Sequence, residues 1–165
     1  MQARTRQTCR FAVIALGLVV VLAGTTFAQS STPTNIGTWK LDLAKSKISA
    51  DLAPKSATFT VEAAGAAAKV TVDAVYAEGT VRHWAYTANY DGKDNPINGN
   101  CQYGDVVAAT RVDSNTTRHI YKKGENVTVT QNAVVSSNGK AMTITSTGTN
   151  ALGQTVNTVG VYDKQ

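Results

Sequence analysis

"SATFTVEAAGAAAKVTVDAVYAEGT", Ser56 to Thr80, decides the fold. Ahead of Gly65, Ala57, Phe59, Val61 and Ala63 alternate with Thr58, Thr60 and Glu62. After it, Val70, Val72, Ala74 and Tyr76 alternate with Thr71 and Asp73. Successive side chains on a strand point to opposite faces. A two-residue period rich in β-branched residues therefore marks a strand with one buried face. Two such runs around a glycine turn predict an antiparallel hairpin.

The same rhythm extends over the rest of the chain. "NVTVTQNAVV", Asn126 to Val135, aligns Val127, Val129, Ala133 and Val135, with Gln131 among them. "AMTITSTGT" aligns Met142 with Ile144, and "TVNTVGVYDK" aligns Val159 with Val161. Gly79, Gly92, Gly124, Gly139 and Gly153 punctuate these runs, and "VDSNTT" (Val112 to Thr117) turns without glycine. Pro33, Pro54 and Pro96 fall outside the strand-like runs, and no window shows a helical stripe. The pattern predicts an all-β antiparallel meander of about nine or ten strands. Sheet twist and the exposure of unpaired edges favour rolling it into a single up-and-down β-barrel. A two-sheet sandwich is the alternative, because periodicity does not separate the two.

The N-terminus reads differently. "MQARTRQTCR" is basic, "FAVIALGLVVVLAG" (Phe11 to Gly24) is apolar, and "TTFAQ" carries small residues at Thr26 and Ala28. This is the pattern of a cleaved secretory signal peptide over residues 1–28, with an uncleaved anchor as the alternative. It predicts a flexible lead-in over 29–35, a barrel domain over 36–165, and a secreted or periplasmic location. The apolar run is shorter than the roughly 20 residues of a bilayer span, so no transmembrane segment is expected after cleavage. The full chain has 16 Lys+Arg against 11 Asp+Glu. Loss of Arg4, Arg6 and Arg10, with no acid, takes the basic count from 16 to 13 and the net charge from +5 to +2. A weak, scattered charge gives no electrostatic case for nucleic acid. Cys9 leaves with the signal, so Cys101 has no internal disulfide partner.

Gly37-Thr38-Trp39, at the head of the first predicted strand, resembles the G-x-W signature of the calycin superfamily, which includes lipocalins and fatty-acid-binding proteins. "GTWKL" (Gly37 to Leu41) and "VYDK" (Val161 to Lys164) are similar to the first and last strands of fatty-acid-binding proteins. "GTWKLDLAKSK" (Gly37 to Lys47) and "HWAYTANYDGKD" (His83 to Asp94) resemble blocks of small secreted bacterial lipocalin-like proteins of unassigned function. The resemblance runs from about Ile36 to Lys164. It implies that Gly37 and Trp39 form a structural plug at the closed end of the barrel, where an indole buries a large apolar area and can gain from a cation over its face. It departs where the headgroup site of fatty-acid-binding proteins would lie. Tyr162 matches their tyrosine, but Gly160 stands in place of their arginine. Ala44 to Ala57, broken by Pro54, is too short for their two-helix lid.

"RHWAYTANY", Arg82 to Tyr90, is the most distinctive segment. It sets Arg82, Trp84, Tyr86 and Tyr90 on one face, an aromatic ladder with one cation that suits either a ligand cavity or wall packing. Arg118, Tyr121 and Tyr162 complete the candidate ligand-binding set. His83 and His119 lack a third ligand at metal spacing, so no metal is expected, and no cofactor is called for. A catalytic use of Cys101 with either histidine is not ordered by anything in the sequence, and no catalytic residue is assigned. Asn115 and Asn126 open sequons that matter only in a eukaryotic secretory host. The expected function is non-catalytic binding of a small hydrophobic or amphipathic molecule inside the barrel. The sparse leucine and phenylalanine of the strands argue for a hollow centre. The alternatives are a solid barrel acting as an envelope-associated structural or protein-interaction module, and a calycin-like enzyme. Oligomeric state is not readable.

Overall fold

The computed structural model describes residues 34–165, in which every regular element is a strand. The strands are β1 (Gly37–Lys47), β2 (Ser56–Ala64), β3 (Ala67–Val75), β4 (Val81–Ala88), β5 (Asp91–Pro96), β6 (Asn98–Gly99), β7 (Val106–Arg111), β8 (Thr116–Lys123), β9 (Asn126–Val135), β10 (Ala141–Thr149) and β11 (Thr155–Lys164). All pair antiparallel in one sheet of order β5-β7-β8-β9-β10-β11-β1-β2-β3-β4-β6, which curls into a nearly closed barrel. There are eleven strands rather than the nine or ten expected. The excess comes from Asp91 to Gly99, which alternation did not divide. The signal-peptide reading and most of the lead-in lie outside the described residues.

β1 makes the seam. Its first half pairs with β2 on one edge and with β11 on the other, so Trp39 stands opposite both Phe59 and Lys164. A bulge then follows. The Asp42 carboxylate accepts from the amides of Ala44 and Lys45, and Ser46 Oγ donates to the Asp42 carbonyl while accepting from Val161 N–H. The Lys45 ammonium bridges Asp42 and Asp163, 2.9 and 2.8 Å away. The pairing with β2 ends at Lys40, and past the bulge β1 continues along β11 alone.

The other side of the barrel is stitched rather than fully paired. Asp91 to Gly99 runs along β7 as β5 and then crosses to pair with β4 as β6. Tyr90 makes the bend that allows this, with a left-handed φ of 59°. Gly99 makes the second contact: φ is +106°, and a Cβ there would collide with the His83 carbonyl.

The hairpin phases hold for most strands. Phe59 pairs with Val72 and Val61 with Val70, all four buried. Two phases differ from expectation. Val127 is exposed because a register shift between Tyr121 and Lys122 turns it out of the core row. On β11 the inward residues are Val156, Thr158, Gly160 and Tyr162, while Val159 and Val161 are only half-buried on the other face.

Trp39 is fully buried at the end of the barrel where β1 begins and β11 ends. Its indole N–H donates to the Asn35 carbonyl at 2.8 Å, and Lys164 Nζ lies 5.1 Å from the ring centroid. The lead-in crosses this base. Thr34 Oγ1 donates to the Ser114 carbonyl, and Asn35 Nδ2 to Tyr90 Oη at 3.2 Å. Trp39→Ala would remove a large buried ring and leave a cavity, so it should lower unfolding free energy by about 3–5 kcal/mol in urea titrations. A loss below about 1 kcal/mol would contradict the plug.

Candidate functional site

The strand phases carry Arg82, Trp84, Tyr86 and Ala88 to the inside of the barrel and His83 and Thr87 to the outside. Three of the four residues expected on the inner face of this segment therefore do share it. Tyr90 does not, because it lies beyond β4 in the bend. Its ring sits under the Arg111 guanidinium, 4.7 Å from centroid to carbon, at the base. Arg118 is exposed on the outside of β8, where Nε donates to Asn132 Oδ1 at 3.0 Å. Tyr121 and Tyr162 are buried inside.

Inside, edge-to-face contacts form a continuous chain. Trp84 meets Tyr103 with centroids 6.3 Å apart, Tyr103 meets Tyr121 at 5.3 Å, and Tyr121 meets Tyr86 at 6.3 Å. Tyr86 meets His119 at 6.0 Å, and Phe59 on β2 meets Tyr162 on β11, over the intervening β1, at 5.1 Å. Such pairs favour T-shaped geometry because the positive edge of one ring meets the negative face of the next. Tyr103 belongs to no strand and was invisible to alternation. It sits on the crossing from β6 to β7, held by a hydrogen bond from Thr128 Oγ1 to its carbonyl.

These rings correct the expectation of a hollow centre. Leucine and phenylalanine are scarce, but Trp39, Phe59, Trp84, Tyr86, Tyr121 and Tyr162 fill the barrel instead. Two small cavities remain. One, of about 50 Å³, opens towards the mouth, the end away from Trp39, between Leu52, Tyr76, Trp84, Gln102, Tyr103 and Tyr162. The other, of about 20 Å³, lies deeper, beside Tyr86, Thr117 and His119. Phe59, Gln131 and Ile144 line both and separate them. Drug-sized ligands generally occupy roughly 300–1,000 Å³.

The turn after β1 covers the mouth. Leu52 and Ala53 both donate their amides to the Ser49 carbonyl, a tight turn that buries Leu52 to 7% exposure. Gly160 has a packing role here. A Cβ at that position would stand 3.0 Å from Cε2 of Tyr162, so the glycine makes room for the tyrosine ring to lie back against β11. Gly160→Ala should destabilise the protein by about 1–3 kcal/mol through overpacking. In a double-mutant cycle with Tyr162→Ala most of that loss should vanish, and full additivity would contradict the contact.

Polar groups in the interior are mostly paired. Tyr86 Oη is 3.1 Å from His119 Nδ1 and 3.4 Å from Tyr121 Oη, and His119 Nε2 is 3.1 Å from Thr117 Oγ1. Gln131 Nε2 donates to Ser146 Oγ at 3.0 Å. Burial pushes the Tyr86, Tyr121 and Tyr162 phenols upward, and that of Tyr103 to about 12. Two buried donors on β4 have no hydrogen-bond partner among the described residues, Trp84 Nε1 and Arg82 Nε.

The residues weighed for catalysis do not converge. His83 faces outward, with Nδ1 2.7 Å from an Asp73 carboxylate oxygen. Burial raises the Cys101 thiol to about 11, and its Sγ accepts from Tyr103 N–H at 3.4 Å. A thiol so raised is neutral near pH 7 and a poor nucleophile. No group of three His, Cys, Asp or Glu side chains suited to a metal occurs among the described residues. No helix among them is long and apolar enough to cross a membrane.

Burial also holds His119 at about 4, below the ordinary 6.5. The unfolded chain therefore takes up a proton before the folded one does. Stability is full above about pH 6.5 and declines as pH falls towards 4, by on the order of 3 kcal/mol. Urea midpoints measured between pH 7 and 4 should fall, and His119→Gln should flatten this part of the profile. An unchanged slope in the variant would assign the decline to other groups.

Comparison of the chain with protein-family models, curated proteins and solved structures returns no match.

Proposed function

We propose that this protein is an exported, calycin-like up-and-down barrel that binds a small amphipathic molecule at its mouth without transforming it. The observation that carries the reading is the mouth cavity. Aromatic walls from Trp84, Tyr103 and Tyr162 enclose polar groups of Gln102, Gln131 and Thr158, and the unpartnered indole N–H belongs to one of those walls. Apolar enclosure with a few placed polar groups is the usual composition of a small-molecule site. A buried donor without a partner carries a desolvation penalty that a ligand oxygen would relieve. The calycin part rests on Gly37-Thr38-Trp39 and on the buried, cation-capped indole, and the export on the basic–apolar–small pattern of the N-terminus.

The small volume favours a second reading, the solid barrel acting as an envelope-associated structural or protein-interaction module. Protein recovered from its own host and examined by native mass spectrometry, with displacement of an apolar dye, separates the two. The binder reading expects a co-purifying mass of one small molecule, or saturable dye uptake. It also expects Leu52→Ala, which thins the cover over the cavity, to tighten dye binding several-fold. An unadducted protein that takes up no dye, before or after Leu52→Ala, leaves the solid barrel.

A further inference from the structure

The mouth cavity does not end at Gln102. On the far side of the Tyr76–Gln102 hydrogen bond, 2.9 Å from Nε2 to Oη, lies a second, open basin of about 210 Å³. Tyr76 and Gln102 line both spaces, so this one bond is the partition between them. Gln102 is held in place from behind, where its carbonyl accepts from Ala151 N–H in the β10–β11 turn.

The two sides differ in polarity. On the outer side, Asp51 and Glu78 present exposed carboxylates. β4 presents a donor on each side of the partition: Arg82 Nε on the wall of the outer basin and, one inward position further, Trp84 Nε1 in the inner cavity, about 7 Å along the strand. Neither has a hydrogen-bond partner among the described residues. Arg82 joins no carboxylate in an ion pair among the described residues. Its guanidinium lies instead over the Tyr76 ring, 5.6 Å from the centroid. Two acceptors at the outer rim, the Arg82 donor on the wall of the same basin beside Tyr76, and the Trp84 donor inside follow one another over the length of a small molecule.

We infer that the mouth takes a small zwitterion of the amino-acid class. Its carboxylate meets the Arg82 and Trp84 donors, its ammonium faces Asp51 and Glu78, and its apolar body lies against Tyr76. The inner 50 Å³ alone would hold little more than a carboxyl group, whereas the inner and outer spaces together hold the whole molecule. Binding exchanges the Tyr76–Gln102 bond for ligand contacts, so the partition is also the gate. This inference rests on the binder reading above and specifies its ligand.

The chain has two tryptophans, which gives a direct assay. Trp39 has its indole N–H satisfied at the base, and Trp84 has its own free at the mouth. The two indole cross-peaks of a ¹⁵N-labelled sample can be followed during titration with valine, with isovalerate (valine without its ammonium) and with isobutylamine (valine without its carboxylate). Valine should shift the Trp84 peak saturably and leave that of Trp39 in place, and each truncated probe should bind at least tenfold more weakly. Arg82→Gln should weaken valine and isovalerate at least tenfold and leave isobutylamine unchanged. Glu78→Gln with Asp51→Asn, both exposed positions, should do the reverse. Arg82→Lys keeps the charge without Nε and should also weaken valine if Arg82→Gln proves unfolded. Isovalerate binding as tightly as valine, in a protein that takes up dye, overturns the zwitterion and leaves the binder reading standing. No shift with any probe in a protein that also takes up no dye overturns both.

Discussion

β1 is hydrogen-bonded on both edges, and the barrel depends on that. A meander of twisted strands ends in two free edges unless its first and last strands meet. Here they meet at Trp39, opposite Phe59 on one side and Lys164 on the other. The indole fixes the register of both pairings at once, since a one-residue slip in either would turn it out of the core. Its N–H is satisfied by Asn35, and the Lys164 ammonium lies over its face. The bulge that follows, locked by Ser46 and by the Lys45 bridge, lies where β1 has left β2 and runs on along β11 towards the opposite end. Base and mouth thus come from the two halves of one strand.

The interior follows from what the strands carry. Alanine, valine and threonine at inward positions leave space that would be empty if their neighbours were equally small. Large rings on β2, β4, β8 and β11 project into it, and Tyr103 enters from a connection. Close packing at interior density leaves only small cavities. The largest polar question inside the barrel then concerns two donors on β4, and both lie near the mouth. Glycine at position 160 belongs to the same logic. It clears space for the Tyr162 ring to lie back against β11.

Much of this was legible in the sequence. Alternation over Ser56 to Tyr76 gave the first hairpin with its correct inward face. The failures have physical causes. Val159 and Val161 looked like a core row, but Val156, Thr158, Gly160 and Tyr162 form it; a half-buried outer face also selects β-branched residues. Val127 was displaced by a bulge that leaves no compositional mark. Arg118 and Tyr121 were both candidates for the ligand-binding set, yet odd spacing on a strand puts the two on opposite faces. Tyr103 and Gln102 could not be found at all, because a crossing segment has no period from which to infer a face.

The two ends of the barrel are unlike: a base sealed by Trp39 and a mouth to which the larger interior cavity opens. Hydrogen exchange of the two indole N–H groups, followed against denaturant, tests this most directly. The Trp39 proton, buried and bonded to Asn35, should exchange only with global unfolding, at the full unfolding free energy and with the global denaturant slope. The Trp84 proton should exchange by local opening of the mouth, faster and almost independent of denaturant at low concentrations. Equal exchange of the two through global unfolding, or faster exchange at Trp39, would contradict it.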